Sequence, residues 1–207
     1  MNIENETTSL VIESQYLPPV STFVMMQSFS EIVIDDDERF QKSTNRNRCS
    51  IAGANGKILL SIPLIGGRGV KSKTRDVKIN NTEPWQQHHW KSIQSAYGKS
   101  SFFHFYDDRV RPFYEKRFDF LIDLNTQLLQ VCFDVLDWEK KIRFEQSQNL
   151  KAKRQELNKK PHTSNLKPYH QVFEERHGFI EDLSIVDLIF NMGNETMSIS
   201  NFFSSHK

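Results

Sequence analysis

The sequence predicts a mixed α/β fold with a partly parallel sheet. Two short β-branched runs, Ser9–Ser14 and Glu31–Ile34, flank a short amphipathic segment, the pattern of a βαβ unit. Leu121–Leu136 places Leu121, Leu124, Leu128, Val131 and Val135 on one helical stripe. The chain has 207 residues, 37% of them hydrophobic and 16 of them phenylalanine, enough for a substantial aromatic core. An N-terminal βαβ unit with packed helices is compatible with a Rossmann-like three-layer arrangement. The whole chain, 1–207, is expected to be one domain, with a charged mobile loop at 145–168 inside it.

Each element has a local reason. Tyr16-Leu17-Pro18-Pro19 stops the first strand, because proline cannot donate to a ladder. Pro19 suits the first turn of a helix, which Phe23, Met26, Gln27 and Phe29 extend. The second strand ends in Asp35-Asp36-Asp37. After the Asn55-Gly56 turn signal, Lys57–Leu64 reads as a strand, and Asn45–Ile51 can pair with it as a hairpin. Gly66-Gly67-Arg68-Gly69 is a loop followed by basic residues. Arg75–Ile79 alternates polar and apolar and reads as an edge strand.

Thr82 is placed as the N-cap of a helix carrying Trp85, His89, Ile93 and Tyr97 on one face, with Gly98 as its stop. Ser101–Tyr106 is an aromatic cluster, and a helix broken near Pro112 is expected from Asp107 to Asp119. A short strand is expected at Lys141–Phe144. Eight Lys/Arg fall between Glu139 and Lys160, where apolar residues thin out. Structure resumes at Tyr169–Phe173. Ser184-Ile185-Val186-Asp187 reads as a capping box in its Asp-containing form, opening a last helix that Gly193 ends. The tail after Met197 is expected to fray.

Composition excludes several classes. With 27 basic and 26 acidic residues, the chain lacks the cationic excess of a general nucleic-acid or acidic-membrane binder. No apolar run reaches the length of a membrane span, and the polar N-terminus is no signal peptide. Cys49 and Cys132 have no CxxC spacing and read as reduced, inert thiols. A cytoplasmic location is expected. No histidine pair has zinc-site spacing, so no metal is expected, and the residues name no cofactor.

The polar stretch from Asp35 to Arg48 is the main candidate site. Ligands bind at the carboxyl ends of parallel strands in open α/β sheets, and the acids follow such a strand. Alternation prevents three consecutive acids from sharing one ligand, so Asp36 and Asp37 are the candidates for proton handling. Lys42, Asn45, Asn47 and Arg48 supply amides and cations, and arginine grips carboxylate or phosphate in two-pronged fashion. Gln15 and Tyr16, where the first strand ends, are candidate ligand contacts, as is Tyr97. His89 is a candidate general base, against the alternative of a satisfied histidine on a core-facing stripe. The competing readings of the acids and of Asn45–Arg48 are a solvated strand end and a polar hairpin edge.

Several phrases resemble the WbqC-like proteins of bacterial surface-polysaccharide gene clusters. They are Gln15-Tyr16-Leu17-Pro18; Asp35-Asp36-Asp37; Phe40-Gln41-Lys42 with Asn45-Arg46-Asn47-Arg48; and Trp85…His89-Trp90-Lys91-Ser92-Ile93…Tyr97. Phe102-Phe103, the helix bearing Asn125, and Tyr169-His170-Gln171-Val172-Phe173 through Asn191-Met192-Gly193 follow in order. Where the family usually has Trp-x-Gly-Tyr-Phe after the Leu-Pro, Pro19–Phe23 keeps only the phenylalanine. The resemblance implies a role in O-antigen or related glycan synthesis, including transfer of an acyl or aminoacyl (glycyl) group to an amino sugar, with a small-molecule or nucleotide-sugar ligand. Two alternatives stand beside it. One is a non-catalytic binding or assembly protein. The other is a nucleotide-dependent transferase, because the strand, turn, helix and Asp-ending strand are similar in topology to HIGH-type nucleotidyltransferases. No His-x-Gly-His motif lies between Ser14 and Phe29 to support the latter chemistry.

Overall fold

Leu10, Val11 and Ile12 are buried in β1 (Ser9–Ile12), and Ile32, Val33 and Ile34 in β2 (Glu31–Asp35). Continuous apolar runs suit parallel strands covered on both faces. The two pair in parallel, Leu10 opposite Ile32 and Ile12 opposite Ile34, joined through α1 (Val20–Gln27). This is the predicted βαβ unit, with both elements trimmed: β1 ends at Ile12 and α1 at Gln27. The computed structural model describes residues 9–66, 72–146 and 166–193. The expected mobile loop falls mostly, and the tail after Met197 wholly, outside them.

The third strand of this sheet comes from far along the chain. β5 (Lys141–Glu145) pairs in parallel with the other edge of β2, giving the order β1-β2-β5. Leu10, Ile12, Ile32 and Ile34 face the main core, where Phe23 of α1 meets Phe133 edge-on with ring centroids 5.9 Å apart. Val11 and Val33 form a separate small cluster on the opposite face.

β3 (Arg48–Gly53) and β4 (Gly56–Ser61) form the expected hairpin, antiparallel with Arg48 opposite Ser61 and Ala52 opposite Lys57. Gly56 closes the turn at φ +101°, a backbone conformation glycine adopts without strain. Helices α2 (Trp85–Tyr97), α3 (Phe103–Val110), α4 (Pro112–Glu115), α5 (Leu121–Val135), α6 (Glu174–His177) and α7 (Ile185–Met192) complete the described elements. Tyr169, Ile185, Leu188 and Phe190 join the same apolar cluster as β1 and β2.

Four local expectations are corrected. Arg75–Ile79 is not a strand. Thr74–Asp76 forms a 3₁₀ turn, and only isolated bridges follow, Ile79 with Leu64 and Lys78 with Phe120. The Thr74 and Arg75 N–H groups are taken by the Glu38 and Asp36 carbonyls, which bends this segment around the end of β2. Thr82 does not cap α2, which begins three residues later; its hydroxyl donates to Asn80 instead. The aromatic cluster is helical from Phe103, and Pro112 opens a separate short helix at a position where its missing N–H costs nothing. Ser184 caps α7 through the Val186 N–H at 3.5 Å, but Asp187 does not return the bond. The Ser184 N–H goes to the Ser50 carbonyl, and the Asp187 carboxylate turns into the core.

Candidate functional site

The parallel order of β1 and β2 puts their carboxyl ends side by side, and the chain fills that edge with its own charges. Arg46, 5% exposed, reaches Glu13 beyond β1 at 2.7 Å and clamps both carboxylate oxygens of Glu38 beyond β2 at 2.9 Å. Asp35 accepts the N–H groups of Asp37 and Glu38, a local turn that competes with strand extension. Asp37 is paired with Lys73 at 2.6 Å and Arg75 at 2.7 Å. The Lys73 hydrogen bond, aided by both positive charges, holds its carboxyl below the usual range. Asp36 is half-buried; its Oδ1 is buried and has no hydrogen-bond partner.

The polar loop between β2 and β3 divides into inward and outward residues. Asn47 is fully buried. It accepts from the Ser43 N–H and donates to the Ile62 carbonyl, tying the loop to the exit of β4. Asn125 on α5, also buried, donates to Ser14 Oγ and the Arg46 carbonyl. Lys42 is half-buried. Asn45 is exposed, while its carbonyl accepts the Tyr16 N–H. Gln15 is half-buried between Glu13 and Thr22.

Asn45 and Arg48 open onto a cleft of about 330 Å³, shared with Leu17, Pro19, Cys49, Ser50, Lys57, Glu181, Asp182 and Ser184. Its floor is the turn after β1. Leu17 there has φ +43°, a left-handed conformation that is strained for a bulky residue and is found where surrounding contacts enforce it. Those contacts come from the C-terminal segment. Ser184 Oγ donates to the Leu17 carbonyl, the Ile185 N–H to Pro18, and the Val20 N–H to Leu183. Asp182 accepts the Ser21 N–H in the first turn of α1. Residues distant in sequence thus build one wall each: the β1–α1 turn, the hairpin, and the 181–184 loop.

The hairpin wall is set by strand alternation. Arg48 and Ser50 share one face of the sheet with Lys57, Leu59 and Ser61. Arg48 donates its Nε–H to Ser61 Oγ at 3.3 Å. Among the described residues neither Arg48 nor Lys57 has a carboxylate within ion-pair distance, whereas Arg46, Lys73, Arg75 and Arg143 all do. The cleft therefore keeps two cations available. Cys49 also lines it, but burial pushes its thiol up and away from the reactive thiolate.

His89 and Tyr97 lie elsewhere. The buried Tyr16 hydroxyl sits 3.0 Å from His89 Nδ1 and 2.7 Å from the Tyr114 hydroxyl. The imidazole also hydrogen bonds to the Ser61 backbone. A carbonyl there can only accept, so the neutral ring donates to Ser61 and takes the Tyr16 proton at Nδ1. Both ring nitrogens are thus engaged inside the core. Tyr97, fully buried, donates to Asp187 Oδ1 at 2.8 Å and accepts the Ala52 N–H at 3.0 Å. Of the residues singled out in the sequence, the structure brings Asn45 and Arg48 to the cleft, Asp36 and Asp37 to the sheet edge, and Tyr16 with His89 to the interior.

Burial pushes the His89 pKa down to about 4 from an ordinary 6.5, against the Ser61 hydrogen bond. The unfolded chain therefore binds this proton more readily. Stability from this group is complete above 6.5 and falls as pH drops toward 4, by about 3 kcal/mol at most. Urea titrations across that window should show the loss, and His89→Gln should flatten it.

Three charged residues of the site, Glu181, Asp182 and Lys57, escaped sequence reasoning. Lys57 was legible only as the first residue of a strand after a turn signal. Glu181 and Asp182 sit in a loop whose one nearby signal, the Ser184-Ile185-Val186-Asp187 capping box, pointed to the next helix. Among the described residues no helix is long and apolar enough to cross a membrane.

A family profile described as the WbqC-like protein family matches residues 13–160, well over half of the chain. The chain belongs to the WbqC-like protein family. The match spans the β1–α1 turn, the polar loop and the hairpin, and the Tyr169–Gly193 segment lies beyond it. The chain is also similar to the uncharacterized protein Rv1507c of Mycobacterium tuberculosis (strain ATCC 25618 / H37Rv), 29% identical over 125 residues. That alignment covers 59% of this chain and 53% of the relative, so the chain spans about half the length of the curated relative it matches. No solved structure matches.

Proposed function

We propose that this WbqC-like protein binds an activated, anionic small molecule in the Arg48–Lys57 cleft and transfers an acyl or aminoacyl group to an amino sugar of a bacterial surface polysaccharide. One observation carries the binding half of this reading. Two cations without carboxylate partners among the described residues converge with Asn45, Ser50 and Ser184 on a strained turn after a parallel strand, where α/β folds place their ligands. The transfer half rests on what the resemblance to WbqC-like proteins of surface-polysaccharide gene clusters implies. In this reading Arg48, Lys57 and Asn45 hold the phosphate or carboxylate of the ligand. Tyr16, Asn47, Tyr97 and His89 position the surrounding elements, and Asp36 and Asp37 set the sheet edge.

The test combines binding and turnover. Nucleotide-linked amino sugars at millimolar concentration should raise the melting temperature of the protein. Arg48→Ala, which removes a charged donor, should weaken that binding by about tenfold. Incubation with activated glycine and the same sugars, followed by mass spectrometry, should reveal the N-glycyl product. Binding without product across a broad donor panel would recast the protein as a binding module. An unchanged affinity in Arg48→Ala would remove the cleft from the account.

A further inference from the structure

The 330 Å³ cleft carries opposite charges on two of its walls. Arg48 and Lys57 stand on the hairpin; Glu181 and Asp182 stand on the loop before α7. We propose that the loop end of the cleft selects ligands carrying a free ammonium group, with Glu181 as the selecting residue. The proposal rests on the reading of the cleft as a ligand site.

The loop is fixed well enough to discriminate. Asp182 is held at φ +52° with Oδ1 on the Ser21 N–H at 3.0 Å, and Leu183 and Ser184 are bonded to Val20 and Ser50. Glu181 is exposed at the rim and has no cation within ion-pair distance among the described residues. The opposite charges face one cavity and yet form no ion pair across it. A ligand with an anion at one end and an ammonium at the other gives each wall its counter-charge. A ligand whose amine is acylated leaves Glu181 facing a neutral amide, and a second anion there is repelled. Glu181 lies outside residues 13–160, the stretch the family profile matches, so this preference belongs to the C-terminal loop of this chain.

The test uses the full chain with UDP-glucosamine and UDP-N-acetylglucosamine, titrated calorimetrically at mildly acidic pH where the amine is protonated. An exposed ion pair contributes up to about 1 kcal/mol, so the free amine should bind up to roughly fivefold tighter. Glu181→Gln should bring the ratio close to one and leave the N-acetylated ligand's affinity unchanged. Its exposed position makes it tolerant of this substitution. Arg48→Ala should weaken both ligands by the same factor. Equal binding of both sugars by the unmodified protein, or a ratio preserved in Glu181→Gln, overturns amine selection while leaving the cleft reading intact. If neither sugar binds, or Arg48→Ala is without effect, the cleft reading itself fails and the amine proposal with it.

Discussion

Asp187→Ala should lower stability on the order of 4 kcal/mol, the largest loss expected from a single side chain here. Asp187 is fully buried and accepts three hydrogen bonds: from Tyr97 at 2.8 Å, Tyr169 at 2.6 Å and Gln171 at 3.0 Å. Truncation removes the acceptor that three buried donors share, and each lost hydrogen bond costs about 1–3 kcal/mol before relaxation, Gln171 Nε2 keeping its bond to the Ile180 carbonyl. For a chain of this length that corresponds to a fall in Tm of roughly 10 °C. The three donors come from α2 and from the segment after Leu166, so the loss would loosen the docking of the C-terminal part onto the core. Burial raises the Asp187 pKa above its ordinary 3.8, with the three hydrogen bonds acting against that rise. Its contribution is complete below 3.8 and declines as pH climbs through the raised value. Asp187→Asn should lack that decline, and calorimetric scans over the acid range would show it.

Arg46→Ala should cost about 3 kcal/mol, because it strands two carboxylates at the sheet edge. The Glu13 and Glu38 side chains are 32% and 16% exposed, so water relieves part of the penalty. Arg46→Lys should recover only a fraction, since an ammonium cannot reproduce the two-pronged contact with Glu38. Urea unfolding of the three proteins would rank them. A loss below about 0.5 kcal/mol for Arg46→Ala would mean that this network is no better than a surface ion pair.

The sequence showed what depends on short-range pattern. Apolar continuity revealed β1 and β2, a turn signal revealed the β3–β4 hairpin, and the helical stripe revealed α5. The pairing of β5 with β2 was hidden, because Lys141–Glu145 carries no mark of its partner more than a hundred residues earlier. The polar loop misled for a similar reason. Composition flags Asn45, Arg46, Asn47 and Arg48 as one polar block. Folding turns Arg46 and Asn47 inward to satisfy Glu13, Glu38 and the Ile62 carbonyl, and leaves Asn45 and Arg48 at the cleft. The acids after β2 looked like a ligand edge, yet Lys73 and Arg75 from a distant turn already neutralise Asp37. Whether a charge is free or matched depends on tertiary partners, and no local spacing records it.

A crystal structure with a bound nucleotide-linked amino sugar tests the central claim most directly. The account predicts ligand density between Arg48, Lys57 and Asn45 on one side and Glu181 and Ser184 on the other, with the anionic group against the hairpin. Density beside Asp36 and Asp37 at the carboxyl edge of β2, with nothing bound between the hairpin and the 181–184 loop, would contradict it.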